Sequence, residues 1–146
     1  MADKTNCWMA LEAMNTAGGV PPSAVDAAER ELGVIFPASY RKFLREYGAA
    51  VGNGFEIAGL FAPVDGGEPP MWRSVVLSTK QIRRMTEAHI SSSLIPIADD
   101  GQGIIFYLET DRCYGPRIVA YGPGIDGEVV ANTFEEFVAR AAMEAM

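Results

Sequence analysis

Histidine and cysteine are almost missing from this chain of 146 residues, which carries His89 as its one histidine and Cys7 and Cys113 as its two cysteines. The thiols share no CxxC spacing, so they supply neither a redox pair of that kind nor a cysteine cluster for a metal. They fit a reducing compartment, with a single disulfide left open. His89 has the titration range of a general base or a metal ligand, yet no second histidine or cysteine cluster accompanies it, and a polar residue at a helix end is the simpler account.

Positive charge is also short. Twelve Lys and Arg stand against nineteen Asp and Glu, a formal net charge of −7. A general nucleic-acid binder would have to overcome that field, so direct nucleic-acid binding is not expected; the charge suits a basic protein, a cation, or nothing beyond solubility. No apolar run approaches membrane-spanning length, and the opening MADKTNCWM lacks a positive patch leading into an uninterrupted apolar stretch. The expectation is a cytoplasmic protein with no membrane partner. No repeat or long low-complexity tract appears, and an apolar fraction of 49% is that of an ordinary globular chain, a single domain over residues 1–146.

The usual catalytic grammars are missing too. Gly101 to Gly103 read GQG, without the lysine and serine of a phosphate loop or the dinucleotide-binding pattern. Ser91, Ser92 and Ser93 lack the GxSxG frame of a nucleophile elbow. Asp99, Asp100 and Asp111 offer oxygen ligands without the full calcium-loop pattern, and turn capping is the plainer role. A pair of acids for glycoside hydrolysis would have to be judged by its separation in space. No cofactor and no metal site are expected.

What is present is helical periodicity around Leu32 to Tyr47. Gly33 is the expected stop of a helix in which Ser23 serves as N-cap, Asp26 stands at N3, and Val25, Ala28 and Leu32 face inward. Val34 to Phe36 reads as a buried connector, and Pro37 suits position N1 of the next helix. Tyr40, Phe43, Leu44 and Tyr47 then recur at i, i+3, i+4 and i+7. A short helix is expected over Cys7 to Met14, and Asn15 to Pro22 reads as a connector.

Farther on the pattern shortens. Phe55 and Ile57 mark a strand, Ala62 to Pro70 an acidic Gly/Pro loop, and Thr79 to Ala88 a helix with Ile82 and Met85 inward. Ser74 to Leu77 is a strand or that helix's entrance. Leu94 to Ile97 reads as a strand at an edge or irregular position because of Pro96, followed by IIFYLE, Arg117 to Tyr121 and Glu128 to Ala131. Thr133 and Glu136 have capping-box spacing ahead of the stripe Phe134, Phe137, Val138 and Ala141. This order is α+β: N-terminal helices, a curved and mainly antiparallel sheet, and a C-terminal helix.

ELG at Glu31 to Gly33, FPASYRKFLREYG from Phe36, the Phe55, Ile57, Gly59 and Leu60 segment, LIPIADDGQG and NTFEEFVARA follow one another in an order that resembles the SUKH superfamily. That group includes immunity proteins of bacterial polymorphic toxin systems and fungal regulators linked to cell-wall glucan synthesis. The resemblance is strongest over residues 22–142, and it departs at Gly48-Ala49-Ala50, where an Asn/Gly-rich turn is more usual, and at Phe36, where leucine is common. It implies an immunity protein that binds a cognate protein toxin, a basic nuclease among the candidates, and obstructs it stoichiometrically without catalysis. A noncatalytic regulator or scaffold is the alternative, and a small hydrolase built on acidic residues ranks below it. The candidate contacts are Asp65, Glu68, Met71, Trp72, Asp99, Asp100, Glu109 and Asp111, the acids in turns steering a basic partner toward an apolar centre at Met71 and Trp72. The competing reading puts Trp72 in the core and scatters the acids.

Overall fold

A proline pair, not a serine, starts the first helix. In the computed structural model, which describes residues 14–52, 55–61, 72–85, 91–99, 102–113 and 115–144, helix α1 spans Pro22–Leu32 with the extended Pro21 at its N-cap. The expected Ser23 cap is thereby corrected. Proline presets a helical φ, and the N–H that Pro22 lacks would have had no intrahelical acceptor, so Ser23 falls inside the first turn. Val25, Ala28 and Leu32 are buried, and Gly33 closes the helix at φ 72° with its N–H on the Glu29 carbonyl. Only a residue that tolerates the left-handed region ends a helix this way at low cost.

Helix α2 spans Ala38–Glu46, with Pro37 one position earlier than expected, at the N-cap. Its Tyr40, Phe43 and Leu44 are buried. The Tyr40 ring stands edge-on to Phe36 and to Phe134, 5.3 Å from each. Phe134 opens helix α4, Phe134–Glu144, so one aromatic cluster ties the helical corner to the last element. The Tyr40 hydroxyl donates to the Ala58 carbonyl at 2.7 Å, and burial pushes that phenol far above the usual tyrosine range. Thr133 Oγ1 accepts from the Glu136 N–H at 3.0 Å, the threonine half of the expected capping box.

The strands are β1 Asn15–Thr16, β2 Ala50–Gly52, β3 Phe55–Ile57, β4 Leu94–Asp99, β5 Ile105–Glu109, β6 Ile118–Gly122 and β7 Ile125–Ala131. Each pairs antiparallel with the next, so the described strands form one meander. Asn15 and Thr16 are thus paired with Val51 and Ala50 rather than left in a connector. Pro96 sits in β4, an inner strand, so of the edge or irregular position expected for it the irregular one is found. β3 pairs only with Ala98 and Asp99, and a register shift between Pro96 and Ala98 relieves the ladder beside the residue that has no N–H. Helix α3, Val75–Arg84, packs along β4. Ser74 Oγ caps it on the Leu77 N–H, so Ser74 to Leu77 is the helix entrance, and Met85 just beyond it is exposed instead of inward.

Alternation divides the sheet. Ile95, Leu108 and Ile118 form a rung that joins the aromatic core of the helices. Tyr107 and Val119 face the other way and cluster with Leu94 and Ile82. Burial and the neighbouring Tyr121 push the Tyr107 phenol up to about 12. On β7 the register shifts twice, around the positive-φ Gly127 and around Val130, whose carbonyl accepts from Arg140 of α4.

Three backbone segments cross without side chains between them. A Cβ on Gly59 would lie 1.7 Å from the Gly48 carbonyl oxygen, and one on Gly19 would lie 1.8 Å from that of Arg45. Leu60 N–H donates to Gly48 at 2.9 Å, so this contact fixes where the chain leaves β3.

Candidate functional site

Of the expected contact residues, Asp65, Glu68, Met71 and Asp100 lie outside the described residues, as do His89 and the Cys7 helix apart from Met14. Trp72 is half-buried ahead of α3. Asp99 ends β4 with its carboxylate 3.3 Å from Arg73, whose Nε is 3.2 Å from Glu56, so one guanidinium serves two acids. Asp111 is exposed, and its Oδ1 accepts from the Cys113 N–H at 2.8 Å, a turn cap. Glu109 is the correction: it is 4% exposed, not displayed in a turn. Asp99 pairs with Ile105 at one end of β5, whereas Glu109 ends that strand. Four residues of strand separate them by about 14 Å, so Asp99 does not share a patch with Glu109 and Asp111.

The Glu109 end of β5 faces the corner between α1 and α2. Glu29 holds that corner from inside: its Oε2 accepts from the Phe36 N–H at 2.7 Å, and the Arg41 guanidinium lies 3.7 Å away and reaches Asp26 at 3.3 Å. Arg83 then straps α1 to the loop before β4, donating to the carbonyls of Leu32 and Ser92 at 2.8 Å each. These ties make the three-residue connector rigid, and its middle residue points out. Ile35 is 59% exposed, a correction to the buried connector.

Three depressions share Ile35. One of about 560 Å³ lies toward Asp26 and Arg30, one of about 320 Å³ toward Ser92, Ser93 and Arg112, and one of about 420 Å³ toward Pro37, Arg41, Glu109 and Pro116. The polar floor is built by the serine loop. Ser93 Oγ donates to Glu109 Oε2 at 2.6 Å, the Asp111 N–H donates to the same oxygen at 3.1 Å, and Thr110 Oγ1 donates to the Ser93 carbonyl at 2.5 Å. The serines therefore clamp β4 to β5. Among the described residues no group of three or more His, Cys, Asp and Glu is placed to hold a metal ion.

The α1–α2 corner, the sheet and the terminal helix together place these residues on one scaffold, and residues 19–140 match the SMI1 / KNR4 family (SUKH-1). The chain belongs to the SUKH-1 family. The match begins at Gly19 of the backbone crossing and ends at Arg140 on α4, so the SUKH-1 span includes the whole Ile35 surface. A search of curated proteins finds no match. SUKH-1 membership is consistent with an immunity or regulatory role. No helix among the described residues is long and apolar enough to cross a membrane.

Ile35 was the residue that composition hid. Val34, Ile35 and Phe36 are all apolar, which reads as burial. In an extended segment, however, successive side chains point to opposite sides, and with Phe36 buried its neighbour must face out.

Proposed function

We propose that this SUKH-1 chain is an immunity protein that binds a cognate protein toxin and neutralises it by stoichiometric obstruction, performing no catalysis of its own. A basic nuclease is the toxin class its charge suits. The observation that carries the reading is Ile35, a 59% exposed isoleucine on a connector pinned by Glu29, within a surround of charged groups. A large apolar anchor inside a polar rim is how protein interfaces are built. The net charge of −7 raises the encounter rate with an electropositive partner. An interface of about 800 Å² per partner would occupy about a tenth of the 8439 Å² of accessible surface.

Asp65, Glu68, Met71, Trp72, Asp99, Asp100, Glu109 and Asp111 remain proposed contacts of that partner. Charge reversal at Asp99 and Asp100 should slow association and flatten its salt dependence more than it harms folding. The deciding experiment is co-expression with a toxin-like reading frame adjacent to the gene. Growth rescue at unchanged toxin abundance, with a one-to-one complex on purification, is the expected result. Capture of a broad set of cellular proteins without rescue would favour the regulatory role within the family, and turnover by the purified chain would overturn the non-catalytic reading.

A further inference from the structure

Glu109 is a carboxylate taken almost wholly out of water, yet only half of it is used. Both of its hydrogen bonds, from Ser93 Oγ and from the Asp111 N–H, end on Oε2. Among the described residues Oε1 accepts none, and it is not a fully buried atom left without a partner. Glu109, 4% exposed, lines the depression of about 420 Å³ with Ile35, Pro37 and Pro116, and Oε1 is the carboxylate oxygen left to meet a guest there. A desolvated carboxylate is costly unless it gains a charged or hydrogen-bonding partner. The apolar wall and the anionic floor call for a ligand with a greasy stem and a cationic tip.

We infer that this depression receives a lysine or arginine side chain of the partner protein, its methylenes lying on Ile35 and Pro116 and its charged head donating to Glu109 Oε1. The fixed charges agree. Glu109 and Asp111 line the depression with Arg41 and Arg112, but Arg41 is held by both Asp26 and Glu29, so the local balance is negative once those two acids are counted. Long basic side chains pair burial of the stem with hydrogen bonding at the head, and a charge pair formed away from water is stronger than one at an exposed rim. This assignment rests on the proposed protein-binding role and names the chemistry of one contact within it.

Two measurements test it. Titration of the protein with N-acetylarginine methylamide, followed by backbone amide shifts, should move Ser93, Thr110 and Asp111, whereas the neutral isostere N-acetylcitrulline methylamide should not. Glu109→Gln keeps an oxygen for Ser93 and Asp111, so the fold is retained while the charge is lost, and the arginine response should vanish. Ile35→Ala, at an exposed position, should weaken it without touching the carboxylate. With the co-expressed toxin, Glu109→Gln should weaken binding at least about tenfold, in the range for uncoupling a buried charge pair. If the probe leaves those amides unmoved, or if Glu109→Gln binds probe and toxin as the parent does, the inference is overturned. Toxin binding that survives Glu109→Gln overturns this contact while leaving the immunity role intact. A chain that binds arginine here but no toxin overturns the immunity role instead.

Discussion

Tyr40→Phe is the cleanest perturbation of the scaffold, because it removes one oxygen from a fully buried ring and changes little else. The lost hydroxyl donates at 2.7 Å to the carbonyl of Ala58, itself fully buried where the chain leaves β3. The carbonyl has no substitute donor, so the cost is that of a buried, unsatisfied acceptor, about 1–3 kcal/mol. An unfolding entropy near 2.1 cal/mol/K per residue gives about 0.3 kcal/mol/K for 146 residues, so the melting temperature should fall by about 3–10 °C. Denaturant titration should show a lower midpoint with an unchanged slope, since the surface exposed on unfolding is the same. A second readout comes from alkali. Burial raises the Tyr40 phenol, so its stabilisation is complete below the ordinary tyrosine value and is lost as pH climbs above it, at about 1.4 kcal/mol per pH unit. Tyr40→Phe should therefore have a shallower alkaline decline than the parent. A loss under about 0.5 kcal/mol, below the usual net worth of one hydrogen bond, together with an unchanged alkaline slope would refute the view that this hydroxyl pins α2 to the sheet.

Gly59→Ala should leave little folded protein on expression, since a Cβ 1.7 Å from the Gly48 carbonyl oxygen forces backbone segments apart, at a cost above about 4 kcal/mol. Gly124→Ala, at φ 77° with open space around it, is the control and should cost only about 1–2 kcal/mol for its left-handed backbone. Tyr107, raised from its ordinary 10 to about 12, should protect the fold below pH 10 and withdraw up to about 3 kcal/mol as pH rises toward 12. Tyrosinate absorbance measured beside circular dichroism checks this, and ionisation of Tyr107 at its ordinary pH in the intact fold would contradict it.

The parts of the fold legible in advance were those whose cause is local. Tyr40, Phe43 and Leu44 mark a helix by their own spacing, IIFYLE marks a strand by its β-branched and aromatic content, and Thr133 announces the last helix through its side chain. What was misread depends on distant partners. Asn15–Thr16, read as part of a connector, has little strand propensity and is a strand because it lies beside Val51 and Ala50. The choice left open at Pro96, edge or irregular position, was likewise settled by partners: it lies at a register shift inside the sheet. Glu109, a charged residue ending a strand, reads as exposed until Ser93, sixteen positions earlier, arrives to satisfy it. The surface around Ile35 was missed for the same reason: two helices and a hairpin make it together, and no one of them carries its signature.

The final strand has a consequence for company. Within the seven residues of β7 the hydrogen-bonding rhythm breaks twice, and Arg140 already occupies the Val130 carbonyl. A stranger seeking to lie alongside as an extra strand meets a broken comb, and so does a sister molecule. Annexation through the main chain is discouraged on that flank, which leaves recognition to side chains, where a single substitution can redirect a partnership without disturbing the architecture beneath.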